Sequence, residues 1–152
     1  MHTRPIFPSG WSSIQTTPAN LTLANTLPVG QSFLWHRHSI PDGGTSTLLQ
    51  PFEEYSRAAH SPSRVICLRQ SPTHLYYTAI HPTDSAAVDD LEKGTTKRWV
   101  EDYFQLETYP DLTEMYMDWR SRDPGLFGDT ELNARAIGVR LLRQDPWECL
   151  VA

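Results

Sequence analysis

Residues 64–80 read RVICLRQSPTHLYYTAI, two β-prone runs, Arg64–Gln70 and His74–Ile80, divided by Ser71-Pro72-Thr73. Branched and aromatic side chains pack well on a pleated surface, and a Ser-Pro-Thr break between two such runs marks a tight reversal. The stretch therefore predicts a β-hairpin, and with it an antiparallel sheet. Downstream the period of the apolar positions changes from two to 3.6. Trp99, Tyr103, Phe104 and Leu106 share one helical stripe. Leu112, Met115, Tyr116 and Trp119 recur at i, i+3, i+4 and i+7 behind the capping pair Asp111 and Glu114. Asp123-Pro124-Gly125 ends that second helix. Strands followed by helices indicate an α+β chain, with helices packed on one face of a twisted antiparallel sheet.

Upstream of the hairpin, Leu21 and Leu23 alternate with polar neighbours. After the break at Pro28-Val29-Gly30, residues 32–37 set Phe33 and Trp35 on one face, so two further strands are expected there. Residues 39–62 hold the turn sequence Pro41-Asp42-Gly43-Gly44 and no clear period, and are expected to form an irregular insertion. Residues 81–96 are expected to be a polar connection. Residues 1–10, with Pro5, Pro8 and Gly10, lack periodicity and are expected to be a disordered lead-in, with order from Trp11. At the other end, Asp145-Pro146-Trp147-Glu148 supplies an acidic N-cap, proline at the first helical position and glutamate at the third. Only Cys149, Leu150, Val151 and Ala152 follow, whereas helices average about 11 to 12 residues, so the polypeptide reads as cut short within a helix.

The 152 residues suit one domain. Cys67 and Cys149 form no C-x-x-C pair, no apolar run approaches the roughly 20 residues that cross a bilayer, and neither secretion nor a membrane partner is expected. The formal net charge is −5, which weighs against tight independent binding of nucleic acid. The charge is unevenly spread. Residues 84–134 carry five basic against thirteen acidic side chains, a balance of −8, and such a block reads first as a solvated helix face.

His36 and His38 flank Arg37 in an expected strand and point to one face, yet no third ligand stands at metal-binding spacing, so surface histidines are the better reading. The sequence has no G-x-S-x-G elbow, Walker loop or G-x-G-x-x-G. Trp99 and Trp119 are expected in the core rather than on a base-stacking surface. From chemistry alone, no active site emerges.

Two stretches nevertheless stand out: Gly30-Gln31-Ser32-Phe33-Leu34-Trp35, and the run from Gly138 through Val139-Arg140-Leu141-Leu142-Arg143-Gln144-Asp145-Pro146-Trp147-Glu148 to Leu150. Taken with Trp11-Ser12-Ser13-Ile14, the hairpin VICLRQSPTHLYY and Asp102-Tyr103-Phe104-Gln105-Leu106, they resemble the 8-oxoguanine DNA glycosylase family in order along nearly the whole chain. Residues 38–62 match poorly.

The resemblance implies that residues 11–144 are the family's N-terminal domain, an antiparallel sheet with helices similar to a TATA-binding-protein repeat. Residues 145–152 would then start the helix leading into a helix-hairpin-helix catalytic domain. The family's Schiff-base lysine, catalytic aspartate and asparagine-rich cytosine-reading segment would all lie past the position matching Ala152, so the resemblance places no catalytic residue in this chain and the chain is expected to be inactive alone. It also implies no cofactor or metal, damaged double-stranded DNA as the partner, base-excision repair as the process, and the nucleus, or the mitochondrion, as the location. One lesion-contacting position carries over, Gly30, whose backbone carbonyl would accept a hydrogen bond from N7–H of a flipped 8-oxoguanine. Guanine presents a lone pair at the same place, so an acceptor there separates the two bases. Only a hydrogen side chain lets the backbone approach so closely. Leu34 departs from the family, which usually carries a basic residue between this Phe and Trp. A non-catalytic, TATA-binding-protein-like module with a protein or DNA partner is the alternative.

Overall fold

The computed structural model describes residues 4–28, 34–40, 53–128 and 136–151. Among the described residues five strands form one antiparallel sheet: β1 (Ser12–Gln15), β2 (His36–Ser39), β3 (Glu53–Ala59), β4 (Arg64–Gln70) and β5 (His74–Ile80), in the order β1-β5-β4-β3-β2. The helices are α1 (Leu23–Thr26), α2 (Asp84–Lys93), α3 (Thr95–Tyr103), α4 (Leu112–Arg122), α5 (Pro124–Phe127) and α6 (Pro146–Val151). The α+β expectation holds, and so does the hairpin: β4 and β5 pair from Val65 opposite Ile80 to Gln70 opposite Leu75. Among the described residues no helix is long and apolar enough to cross a membrane.

Register sorts the side chains onto two faces, because alternate residues of a strand point to opposite sides. Tyr55, Arg57 and Ala59 of β3 stand across from Leu68, Ile66 and Arg64 of β4, and Leu68 stands across from Tyr77 of β5. This face meets the helices. Ile66, Leu68 and Leu75 cluster there with Val100, Tyr103 and Phe104, and with Leu21, Leu23 and Leu27. The other face presents Glu54, Cys67 and Arg69, which are also buried. Their cover is the segment expected as a disordered lead-in. Arg4 pairs with Glu54 at 2.6 Å, Arg69 donates to the same carboxylate at 2.7 Å, and Arg69 lies 4.7 and 5.1 Å from the ring centroids of Phe7 and Trp11. Phe7 also meets Tyr76 edge-on at 5.0 Å. Beneath this cover, burial and then Glu54 push the Cys67 thiol up to about 11, leaving it inert at neutral pH.

Three further expectations are corrected. The strand expected at Leu21 and Leu23 does not form: Leu23 opens a helical turn, α1, Leu21 stands just before it, and both are buried in the core together with Leu27, so core-facing positions at the start of a helical turn mimic period two. Within the expected irregular insertion, β3 is a full strand. Its polar sequence, EEYSRAA, hid it, since Glu54 and Arg57 occupy buried positions that apolar residues usually fill. Residues 41–52 of that insertion lie outside the described residues. The polar connection contains α2, which opens on Thr83, whose hydroxyl accepts from the Ala86 amide, and closes on Gly94 at φ 60.

Apolar packing does not hold α2, whose Val88 and Leu91 are exposed. Asp90 does. Its carboxylate accepts from the Thr96 amide and hydroxyl, both at 2.6 Å, and from His81 Nε2 at 2.8 Å. The Thr96 hydroxyl accepts in turn from Arg64 Nε at 2.8 Å, which ties the α2–α3 corner to β4. Burial alone would raise the Asp90 carboxyl, but the Thr96 and His81 hydrogen bonds outweigh it and hold the group below the ordinary aspartate value. A depressed folded-state value contributes stability above the unfolded value of about 4 and loses it as pH falls through the folded one. Asp90→Asn should therefore cost about 1–3 kcal/mol at neutral pH in urea denaturation, with the difference from the parent closing below about pH 4. A variant as stable as the parent at neutral pH, or one whose deficit persists unchanged in acid, would contradict this role.

Candidate functional site

Arg57 projects from β3 into the helix-facing layer with only 7% of its surface exposed. An unpartnered charge there would cost several kcal/mol, so what surrounds it decides whether the strand can form. Its Nη1 donates to Glu148 Oε1 at 2.6 Å and to the Tyr103 hydroxyl at 3.3 Å. Three rings enclose the guanidinium carbon: Trp99 at 5.2 Å, Tyr103 at 5.3 Å and Trp35 at 5.6 Å. Trp99 and Tyr103 are four residues apart on α3, and helical geometry stacks them at 4.6 Å, near parallel.

Glu148 arrives by local rules. Asp145 caps α6 by accepting from the Glu148 amide at 2.8 Å, Pro146 takes the first helical position, and the third residue then turns its carboxylate inward. Gln144 adds a hydrogen bond to the same oxygen at 3.2 Å. The Tyr103 hydroxyl is the hub: it accepts from the Trp35 indole at 3.1 Å and donates to Glu148 at 3.2 Å. The two stretches that stood out in the sequence, one ending at Trp35 and the other containing Glu148, thus meet on one phenol.

The second stretch is anchored independently at its start. Gly138 has φ 68, and its carbonyl accepts from the Thr22 amide at 2.8 Å and the Thr26 hydroxyl at 3.1 Å. A β-carbon there would run into the Pro18 carbonyl and the Thr22 amide, so both conformation and space require glycine. Arg140, also buried, donates to the carbonyls of Asn20, Phe104, Gln105 and Tyr109, fastening the stretch to the end of α3. Burial lowers the affinity of this guanidinium for its proton, an effect that nearby Tyr116 opposes.

Gly30, the one site residue expected from sequence, lies outside the described residues together with Gln31, Ser32 and Phe33. Leu34 is part-exposed, and Trp35 is half-buried in the cluster. His36 and His38 are exposed on β2, with His38 Nε2 2.8 Å from the Ser56 hydroxyl. Among the described residues no group of three or more His, Cys, Asp or Glu is placed to hold a metal. Trp99 joins the cluster as expected of a packed aromatic, whereas Trp119 lies part-exposed against Tyr116 and Phe127. Sequence reasoning missed Arg57 as a site residue, because its partner lies 91 positions away and no local pattern announces it. Glu148 was found only as a capping residue. Chemically the cluster is a clamp, in which Trp35, Arg57, Tyr103, Gln144 and Glu148 hold one another in place.

Removing one partner of a buried ion pair strands the other. Glu148→Ala and Arg57→Met should each cost about 3–5 kcal/mol in denaturant unfolding, while the double variant should cost well under their sum, since it leaves no buried charge behind. Additive losses would show that the two residues act independently.

Residues 13–150 match the family model for the 8-oxoguanine DNA glycosylase N-terminal domain, a span that leaves out only the first residue of β1 and the last of α6 among the elements described. The N-glycosylase/DNA lyase OGG1 of Arabidopsis thaliana is 30% identical over 146 residues, covering 93% of this chain and 32% of that protein. The chain thus spans about a third of the relative's length. The matched region takes in both the Trp35 and the Glu148 stretches, and on that match the chain belongs to the 8-oxoguanine DNA glycosylase family, through its N-terminal domain.

Proposed function

We propose that this chain is the lesion-pocket-forming, DNA-associated domain of an 8-oxoguanine DNA glycosylase and apurinic-apyrimidinic site lyase, acting in nuclear base-excision repair of oxidised purines. The match over residues 13–150 carries the proposal. The clamp supports it, since it fastens the stretch that follows Gly30 to the helix that starts at Pro146. In this reading the sheet and helices, arranged in a manner akin to a TATA-binding-protein repeat, form one wall of the pocket. A helix-hairpin-helix domain supplies the catalytic lysine and aspartate, and damaged duplex DNA lies between.

Recognition of the lesion follows from hydrogen-bond polarity. Flipping a base from the stack costs a few kcal/mol, and the pocket must recover that cost from the damaged base alone. A backbone carbonyl at Gly30 accepts from N7–H of 8-oxoguanine and repels the N7 lone pair of guanine. The two lysines of this chain do not serve as the amine nucleophile: Lys93 and Lys97 sit on exposed helix faces, paired with Asp89 at 2.6 Å and Glu101 at 3.7 Å.

The test joins this chain to the remaining two thirds of the Arabidopsis relative and compares Gly30→Ala with the parent fusion. The ratio of kcat/KM for 8-oxoguanine over guanine should fall about 5- to 150-fold, the consequence of one mismatched buried hydrogen bond. Cleavage at a preformed abasic site, which offers no base to read, should stay near the parent rate. Equal loss of both activities in a folded variant, or loss of neither, would overturn the assignment of Gly30.

A further inference from the structure

The face of the sheet turned away from the helices is covered by residues 4–11, and the way they are attached differs from every other contact in the fold. Among the described residues, residues 4–10 make no backbone hydrogen bond to any strand; the link to their main chain is the Thr78 hydroxyl, which donates to the Gly10 carbonyl at 3.5 Å. The segment is tied to itself instead. The Trp11 indole donates to the Pro5 carbonyl and the Trp11 amide to the Pro8 carbonyl, both at 3.1 Å, and the Phe7 ring meets Trp11 edge-on at 5.5 Å. Gly10 takes φ 80 with its α-carbon packed against the Pro5 ring, where a β-carbon would collide. Pro5 and Pro8 carry no N–H, so little of this main chain needs a partner from the sheet.

Side chains alone hold the segment down: Arg4 on Glu54, Phe7 on Tyr76, and the rings of Phe7 and Trp11 over Arg69. The seat beneath is complete without them. Arg69 Nε donates to Glu54 at 2.7 Å, so withdrawing Arg4, itself part-exposed, leaves neither buried charge unpaired. None of residues 4–11 belongs to the aliphatic cluster, which lies on the opposite face. Releasing the segment therefore costs a few ring and charge contacts and spares the core. Openings of that kind lie well below the free energy of global unfolding.

We propose that residues 4–11 are a strap that lifts from the sheet as one unit, pivoting where Trp11 meets β1, and so switches this face between a covered and an open form while the helix-side core stays folded. Arg69 and Cys67 stand two residues apart on β4 and share the face, so the open form presents the Arg69–Glu54 pair, the Tyr76 ring and the Cys67 thiol together. Cys67 is 2% exposed under the strap, which makes it a reporter of the open form.

The experiment follows alkylation of the full chain by iodoacetamide, resolved for each cysteine by mass spectrometry. The sulfur displaces iodide, the thiol proton passes to solvent, and exposed Cys149 serves as the control for reagent and conditions. A local opening exposes little surface, so the Cys67 rate should stay nearly flat as urea rises towards the unfolding transition, whereas a reaction that requires global unfolding accelerates steeply with urea. Arg4→Gln with Phe7→Ala removes the ion pair and the ring contacts but keeps Arg69 on Glu54. It should raise the Cys67 rate about tenfold, with the flat urea dependence retained and the Cys149 rate unchanged. A Cys67 rate in the parent that climbs with urea as steeply as global unfolding would overturn the proposal, and so would a double variant that labels at the parent rate. Either result would make residues 4–11 a fixed part of the folded core.

Discussion

A buried arginine organises this domain. Arg57 is the point at which the sheet, α3, the residue preceding β2 and α6 are all in contact: its guanidinium touches Glu148, the Tyr103 hydroxyl and the faces of Trp35, Trp99 and Tyr103. Burying a charge is costly, and the arrangement offsets that cost only when every partner is in place. The consequence is an all-or-none junction. An apolar residue at position 57 could pack as well, but it would not require the carboxylate of α6 or the phenol of α3 to take one position. Aromatic faces tolerate sliding; a 2.6 Å ion pair does not.

The same logic recurs across the molecule. Arg69 is satisfied by Glu54, Arg64 by Thr96 and the Pro62 carbonyl, and Arg140 by backbone carbonyls at the end of α3. Each of these arginines is buried and ties together segments distant in sequence. The domain thus has a conventional aliphatic centre in Ile66, Leu68, Leu75 and Val100, ringed by polar links that set the positions of the surrounding pieces. Such links contribute modest net stability and considerable geometric definition.

What could be read from the sequence follows from range of interaction. The hairpin of β4 and β5 and the caps at Asp111 and Asp145 are local patterns, and the structure has them where the pattern sets them; of the helical stripe, Trp99 and Tyr103 lie on α3, whereas Phe104 and Leu106 follow its end and still pack on the core. β3 was illegible because Glu54 and Arg57 break the apolar alternation, and the partners that make their burial tolerable, Arg4, Arg69 and Glu148, are set by tertiary contact. α2 was passed over for the related reason that a single carboxylate anchors it, although Thr83 and Gly94 announced its ends. The cover over the second face of the sheet was missed because Phe7 and Trp11 stand among prolines in a stretch without period. At the site, the Trp35 and Glu148 stretches were noticed separately; their meeting through Tyr103 required the fold.

The central claim is that these two stretches are coupled: the clamp transmits the position of α6 to the residue that precedes β2. Native-state hydrogen exchange at the Trp35 indole N–H, followed by NMR in the parent and in Glu148→Gln, measures that coupling directly. Neutralising Glu148 removes the anionic partner of Tyr103 and Arg57 while keeping the volume of the side chain. The account predicts that exchange at Trp35 accelerates about tenfold or more, equivalent to about 1.4 kcal/mol, while the amides of β1 at the opposite edge of the sheet keep their protection. An indole proton that exchanges at the parent rate in the variant would contradict it, and would mean that Trp35 and α6 are held independently.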